Sequence, residues 1–182
     1  KTTNTDYVFV GNADIVLKEN SFLKMIEYMK TNPGVGVLGP KLINEKGIIE
    51  LSFNKKCSGL WRCFFDYVFF YSYLRSKIFE RYILKCLPYS FIKKLNITRP
   101  VAWVAGAGFL LRRSAAKEVG FMDERFFLYC EDEDFCCRIN KAGLQVHYFP
   151  QTFLIHYRNK SIDRFEENLI MESTKSRLHF YR

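Results

Sequence analysis

Phe126-Phe127-Leu128-Tyr129-Cys130-Glu131-Asp132-Glu133-Asp134-Phe135 places four consecutive acids inside an aromatic and apolar run. A solvated acidic loop is not normally framed in this way. The pattern continues to Lys141 and stops at Gly143, which predicts a helix over about 131–141 with Asp134 and Arg138 as an i,i+4 pair. Two readings of the acids follow. They complement the positive end of the helix macrodipole. Alternatively, burial among the aromatics desolvates a carboxyl group, raises its pKa and suits it to proton transfer, unless a cation holds it ionised.

Downstream of this helix, Val146 to Phe149 and Thr152 to His156 read as strands separated by Pro150, and the charged tail from Arg164 to Arg182 is helical in pattern. Upstream, Val101 to Val104 and Phe109 to Leu111 read as strands flanking Gly106-Ala107-Gly108, and Ser114 is placed to cap a short helix ending at Gly120. Near the N-terminus Tyr7-Val8-Phe9-Val10 is a short buried strand closed by Gly11-Asn12, with Asp14 just past its end. Asn20 or Ser21 can cap a helix to about Lys30 with Phe22, Met25, Ile26 and Met29 on one face, stopped by Asn32-Pro33-Gly34. Val35 to Leu38 is a further strand, ended by Gly39-Pro40, and Asn44-Glu45-Lys46-Gly47 is a hairpin turn. Strands alternating with helices predict an α/β fold with a mixed sheet flanked by helices. There is no G-x-G-x-x-G, Walker or G-x-S-x-G sequence, which argues against nucleotide-binding P-loop, Rossmann and α/β-hydrolase chemistry.

The chain of 182 residues is long enough for one domain with a substantial core. It begins with Lys1 and is already in a strand by Tyr7, with nothing resembling a signal peptide ahead of it, so we expect a start inside a longer protein. Six cysteines (57, 63, 86, 130, 136, 137) include no C-x-x-C pair, which fits reduced thiols better than a zinc site or a disulfide framework. The net charge of +9 is concentrated. Residues 55–99 carry ten Lys/Arg against Asp66 and Glu80, together with 12 aromatic residues. This basic aromatic insert, expected to be two helices broken near Pro88, is interrupted by Arg62 and Asp66 and is too short to span a bilayer. Three readings stay open for it: surface helices packed on the sheet, an interfacial membrane contact, or single-stranded nucleic-acid binding. No RNA-binding motif accompanies the last.

Asp14 after a strand, the acids from Glu131 to Asp134 and His156 at a strand end can converge at one end of such a sheet, where α/β folds bind ligands. Asp plus His with open positions suits a divalent cation that also carries phosphate oxygens. Singly, Asp14 is commonly a turn residue and His156 commonly structural; the ordered set is what points to a site. In order along the chain, Gly11-Asn12-Ala13-Asp14, Val35 to Leu42, Trp103-Val104-Ala105-Gly106-Ala107, Val119 to Phe127, Glu131 to Asp134 with Arg138, and His156 resemble the C-terminal half of a family-2 glycosyltransferase of the GT-A fold, in particular its rhamnosyltransferase-like members.

The resemblance implies a partial catalytic domain over 1–182, with the insert at about 55–99 and the N-terminal nucleotide-binding portion missing, so that this fragment alone is expected to be inactive and to expose a sheet edge that favours association. It implies metal-dependent, inverting transfer of a sugar, rhamnose being the family-level guess, from a nucleotide-sugar donor to a cell-surface polysaccharide or lipid-linked glycan. Asp14 matches the acid that holds Mg²⁺ or Mn²⁺ against the donor diphosphate, and His156 a position that completes that site. Asp132 matches the base that deprotonates the acceptor hydroxyl. Glu131 and Asp134 would shape the acceptor site, Arg138 would pair with Asp134 to position the helix, Gly106 and Ala107 would allow close approach beside the sugar, and Trp103 would pack there. The implied location is cytoplasmic, peripheral on the inner face of the cell membrane, with no nucleic-acid partner; the alternative is a non-catalytic module docking on membrane or nucleic acid through the insert. Gly11 and Ala13 replace the family's usual Leu and Pro, a change expected to loosen the turn before Asp14, and Met122 replaces its Phe or Gly.

Overall fold

The computed structural model describes residues 5–18, 20–54, 95–157 and 166–181, with the backbone alone for 166–170. All of the insert but its last five residues lies outside them, and with it the helices expected there and the choice among its three readings. The described elements are β1 (Tyr7–Gly11), β2 (Ile15–Leu17), α1 (Ser21–Thr31), β3 (Val35–Ile43), β4 (Ile49–Glu50), β5 (Phe53–Asn54), β6 (Arg99–Val101), β7 (Trp103–Val104), β8 (Gly108–Arg112), α2 (Arg113–Val119), α3 (Glu131–Lys141), β9 (Gln145–His156) and α4 (Glu166–Phe180).

The main sheet runs β1-β8-β3-β9-β2, with β4 added to the end of β3 and β6 to the start of β9; β5 and β7 form a separate ribbon. Among the described strands only β3 and β9 are parallel, so the sheet is mixed, as expected. β3 is central, and its first six residues are all buried. That explains a continuous apolar run rather than an alternating one: both faces of the strand are covered. Successive residues point to opposite faces. Leu38 and Leu110 face α1, where Met25 and Met29 are fully buried. Val37, Phe109 and Leu111 face α2 and α3, packed by Ala115, Ala116, Phe135, Cys136 and Ile139. Each large side chain sequestered in this way contributes about 1.5–3 kcal/mol.

Two strand expectations and two cap expectations are corrected. β3 does not end at Gly39-Pro40, and β9 is one strand through Pro150. The two prolines meet at one irregularity: Pro40 opposes Phe149, the next pair is Lys41 with Phe153, and residues 150–152 bulge out of the ladder. A bulge needs no donor from proline, so neither ring breaks the sheet. Gly39 is required by proximity, since a Cβ there would lie 2.6 Å from the Val104 side chain. Neither Asn20 nor Ser114 caps through its side chain: Asn20 is left-handed with φ 64°, and α2 begins at Arg113, whose N–H donates to Asp6 O at 2.9 Å. The turn at 44–47 is as expected. Asn44 Oδ1 accepts from the N–H groups of Lys46 and Ile48, and Gly47 takes φ 73°.

Cys130 and Cys136 are free, but Cys137 is disulfide-bonded, which overturns the expectation of uniformly reduced thiols. Among the described residues no helix is long and apolar enough to cross a membrane.

Candidate active site

The Gly106-Ala107 turn between β7 and β8 is the hub of the site. On one side Ala107 O accepts from Asn12 N–H at 3.0 Å, holding the loop that carries Asp14. On the other, Gly106 N–H donates to Asp132 Oδ2 at 2.7 Å. A Cβ at Gly106 would lie 3.3 Å from the Asp132 Cβ and 3.4 Å from its Oδ2, so a side chain here would press on this carboxylate and require it to shift by a few tenths of an ångström.

Asp132 sits in the first turn of α3, and all four residues of that turn are acidic. Its other oxygen accepts from Glu133 N–H at 2.8 Å. Burial pushes the Asp132 carboxyl above the ordinary aspartate range, and the backbone hydrogen bonds pull the other way without cancelling it. Glu131 is also raised, chiefly by burial and then by its charged neighbour Asp132; its Oε2 is buried and unbonded. Both readings of the acidic run therefore hold: the acids crowd the helix N-terminus, and two of them are desolvated. The chain enters α3 through two consecutive non-glycine residues in the left-handed region, Tyr129 at φ 62° and Cys130 at φ 70°. Such backbone costs about 1–3 kcal/mol per residue and persists only where the surroundings hold it. The Cys130 thiol is pushed up to about 12 by burial, so it stays protonated at neutral pH.

Asp14 lies in the tight loop from β1 to β2. Gly11, expected to loosen that loop, is instead closely packed: a Cβ there would lie 2.7 Å from both Ile15 Cδ1 and the Phe9 ring. β2 pairs with the end of β9, Ile15 opposite His156, and Tyr157 N–H donates to Asp14 O at 2.8 Å. This brings His156 Nε2 to 3.5 Å from Asp14 Oδ1, an oxygen that is buried and has no hydrogen-bond partner. The other ring nitrogen, Nδ1, is 2.9 Å from Glu50 Oε2. Glu50 was missed in the sequence, although the hairpin turn that returns β4 to Leu42 was legible.

The pair of Asp14 Oδ1 and His156 Nε2 fits a divalent cation: an uncompensated carboxylate oxygen faces an imidazole nitrogen. Among the described residues no cluster of three or more His, Cys, Asp or Glu side chains is arranged to hold a metal ion, so other oxygen ligands would have to complete a Mg²⁺ or Mn²⁺ shell, as is usual for such ions.

The remaining predicted residues are placed as follows. Arg138 Nε donates to Asp134 Oδ2 at 2.8 Å, the expected pair, and its other nitrogens donate to the carbonyls of Val119, Gly120 and Phe121 at 2.8–3.1 Å. This guanidinium therefore fastens α3 to the segment after α2. Trp103 is half-buried on β7, with its indole N–H buried and unbonded.

The family profile described as Glycosyl transferase family group 2 matches residues 7–167. The chain is 31% identical over 159 residues to an N-acetylglucosaminyl-diphospho-decaprenol L-rhamnosyltransferase of Mycobacterium tuberculosis, an alignment covering 87% of this chain and 49% of the relative. It is 27% identical over 167 residues to the rhamnosyltransferase WbbL of Escherichia coli K12, covering 86% and 54%. The chain thus spans about half the length of these relatives. Among solved structures, GalNAc-T7 with UDP, GalNAc and Mn²⁺ superposes with a TM-score of 0.54 at 11% identity, over 86% of this chain and 28% of that one, and shows a shared GT-A fold. With the family profile spanning both the Asp14 loop and the Asp132 helix, the chain belongs to the family-2 glycosyltransferases.

Proposed function

We propose that the protein transfers a sugar from a nucleotide-sugar donor to a glycan acceptor, with inversion at the anomeric carbon and with the help of a divalent cation. One observation carries this reading: a single turn, Gly106-Ala107, is hydrogen-bonded on one side to the loop of a cation-ready Asp–His pair and on the other to a buried carboxylate of raised pKa. A donor diphosphate seated at Asp14 and His156 puts its sugar over this turn. Asp132 accepts the proton of the acceptor hydroxyl as that oxygen bonds to the anomeric carbon from the face opposite the departing diphosphate oxygen. General-base help of this kind is typically worth ~10²–10⁴ in rate. A bound Mg²⁺ or Mn²⁺ would supply charge neutralisation at the leaving diphosphate. The solved neighbour that holds UDP and Mn²⁺ is consistent with such a site. Glu131 Oε2 and the Trp103 indole N–H, both buried and unbonded, are available to sugar hydroxyls, with Asp134 and Arg138 holding the helix that carries Glu131.

The names of the relatives make rhamnose the first donor sugar to test and a lipid-linked diphospho-sugar the first acceptor, which would place the protein at a membrane surface. The deciding measurement is calorimetric titration of nucleoside diphosphates and nucleotide sugars into the full-length protein with Mn²⁺ and then with EDTA. We expect binding that EDTA abolishes and that Asp14→Ala weakens at least tenfold. Binding of equal strength in EDTA would refute the metal reading.

A further inference from the structure

We propose that Glu50 is a positioning residue, which fixes the proton of His156 on Nδ1 and thereby turns an unprotonated Nε2 toward Asp14. The role of the His156 nitrogen toward a cation rests on the function proposed above; the assignment of Glu50 does not.

The geometry is built by three neighbouring strands. The β3–β4 hairpin, closed by Asn44 and Gly47, sets Glu50 opposite Leu42. β3 runs parallel to β9, with Leu42 beside Leu154 and Ile43 beside Ile155. β9 in turn carries His156 against β2 and the Asp14 loop. The imidazole is thus held between two carboxylates, Glu50 at 2.9 Å from Nδ1 and Asp14 at 3.5 Å from Nε2, and all three side chains are largely buried. The contacts are unequal. The Glu50 contact is a hydrogen bond of ordinary length, whereas Asp14 Oδ1 has no hydrogen-bond partner. A carboxylate accepts and does not donate, so the proton shared with Glu50 belongs to Nδ1. In the neutral ring the Nε2 lone pair then faces the Asp14 oxygen, an arrangement that a cation between them relieves. Ligating histidines are commonly oriented through the nitrogen that does not touch the metal, and loss of that partner typically costs 10–100-fold in metal affinity.

Two readouts test this on the protein and on its Glu50→Ala and Glu50→Gln variants. The first is the tautomer of His156, read from long-range ¹⁵N–¹H spectra without metal. The second is Mn²⁺ affinity, read by electron paramagnetic resonance of the free ion. We expect the Nδ1–H form in the parent protein. In Glu50→Ala we expect its loss in favour of an Nε2–H bonded to Asp14, together with 10–100-fold weaker Mn²⁺ binding. Glu50→Gln keeps an acceptor and almost the same volume, so its affinity should fall between the two. An unchanged tautomer in Glu50→Ala would overturn the assignment, as would an Nε2–H form in the parent protein. A tautomer that responds as expected, with no Mn²⁺ binding by the parent, would uphold the role of Glu50 and refute the metal reading instead.

Discussion

Asp132 owes its chemistry to its neighbours. The same residue in a solvated first turn would be an ordinary helix-end acid. Here burial raises its pKa, while the N–H groups of Gly106 and Glu133 keep it aimed. In the proposed mechanism it acts as a base in its ionised form, so the rate should rise with pH through a limb that lies above the ordinary aspartate value of about 3.9. Replacing it with Asn should lower kcat by ~10²–10⁴ and abolish that limb, with circular dichroism unchanged. Steady-state kinetics across pH checks both; an Asn variant with parental turnover would remove Asp132 from the mechanism. The folding linkage has the opposite sign. A carboxyl with a raised folded-state pKa contributes stability below its unfolded value, and that contribution is lost as pH rises through the folded value. Under the proposed role, activity and the Asp132 contribution to stability should therefore respond to pH in opposite directions.

At the scale of elements, α3 is held at both ends by features of different legibility. Its bounds were readable from the acids, the apolar spacing and Gly143. Its attachment was not: Arg138 reads as the partner of Asp134, yet most of its donors go to the carbonyls of residues 119–121. Those acceptors are backbone groups, which carry no sequence signal. Arg138→Ala should therefore cost about 2–3 kcal/mol, given that hydrogen bonds from charged groups contribute about 1.5–3 kcal/mol each. Urea unfolding measures this, and a loss below 0.5 kcal/mol, roughly the range of neutral surface changes, would show the contacts to be incidental. β9 teaches the same lesson with the opposite error. Pro150 marks a strand break by propensity, yet β9 runs through it because the proline lies in the bulge that follows the Pro40–Phe149 pair.

Across the whole molecule, a mixed sheet covered on both faces brings the Asp14–His156 pair and Asp132, the two parts of the proposed site, to either side of the Gly106-Ala107 turn. Its stability depends on the layer under α1 as well as the layer under α3, since β3 contributes alternate residues to both. Met29→Ala, remote from the site, should destabilise by about 2–5 kcal/mol while leaving KM for the donor unchanged below the melting transition. Thermal unfolding alongside kinetics checks this, and a matched rise in KM would show that the α1 layer communicates with the site. Among the described strands β1 pairs with β8 alone.

By itself the sequence determined the alternation of strands and helices, the span of α3, the hairpin at Asn44-Gly47, and the ordered motifs that place Asp14, Asp132 and His156 in one family. These are local signals: periodicity, turn chemistry and residue order survive in a linear string. Tertiary structure alone decided that Gly106 bonds Asp132, that Glu50 holds the far side of His156, that Arg138 spends its donors on a loop, that two prolines share one bulge, and that Cys137 is not a free thiol. Each of these joins groups distant in the chain, often through backbone atoms common to every residue. The physical reason for the division is that pairing across a sheet is set by register and burial, and neither is written at a single position.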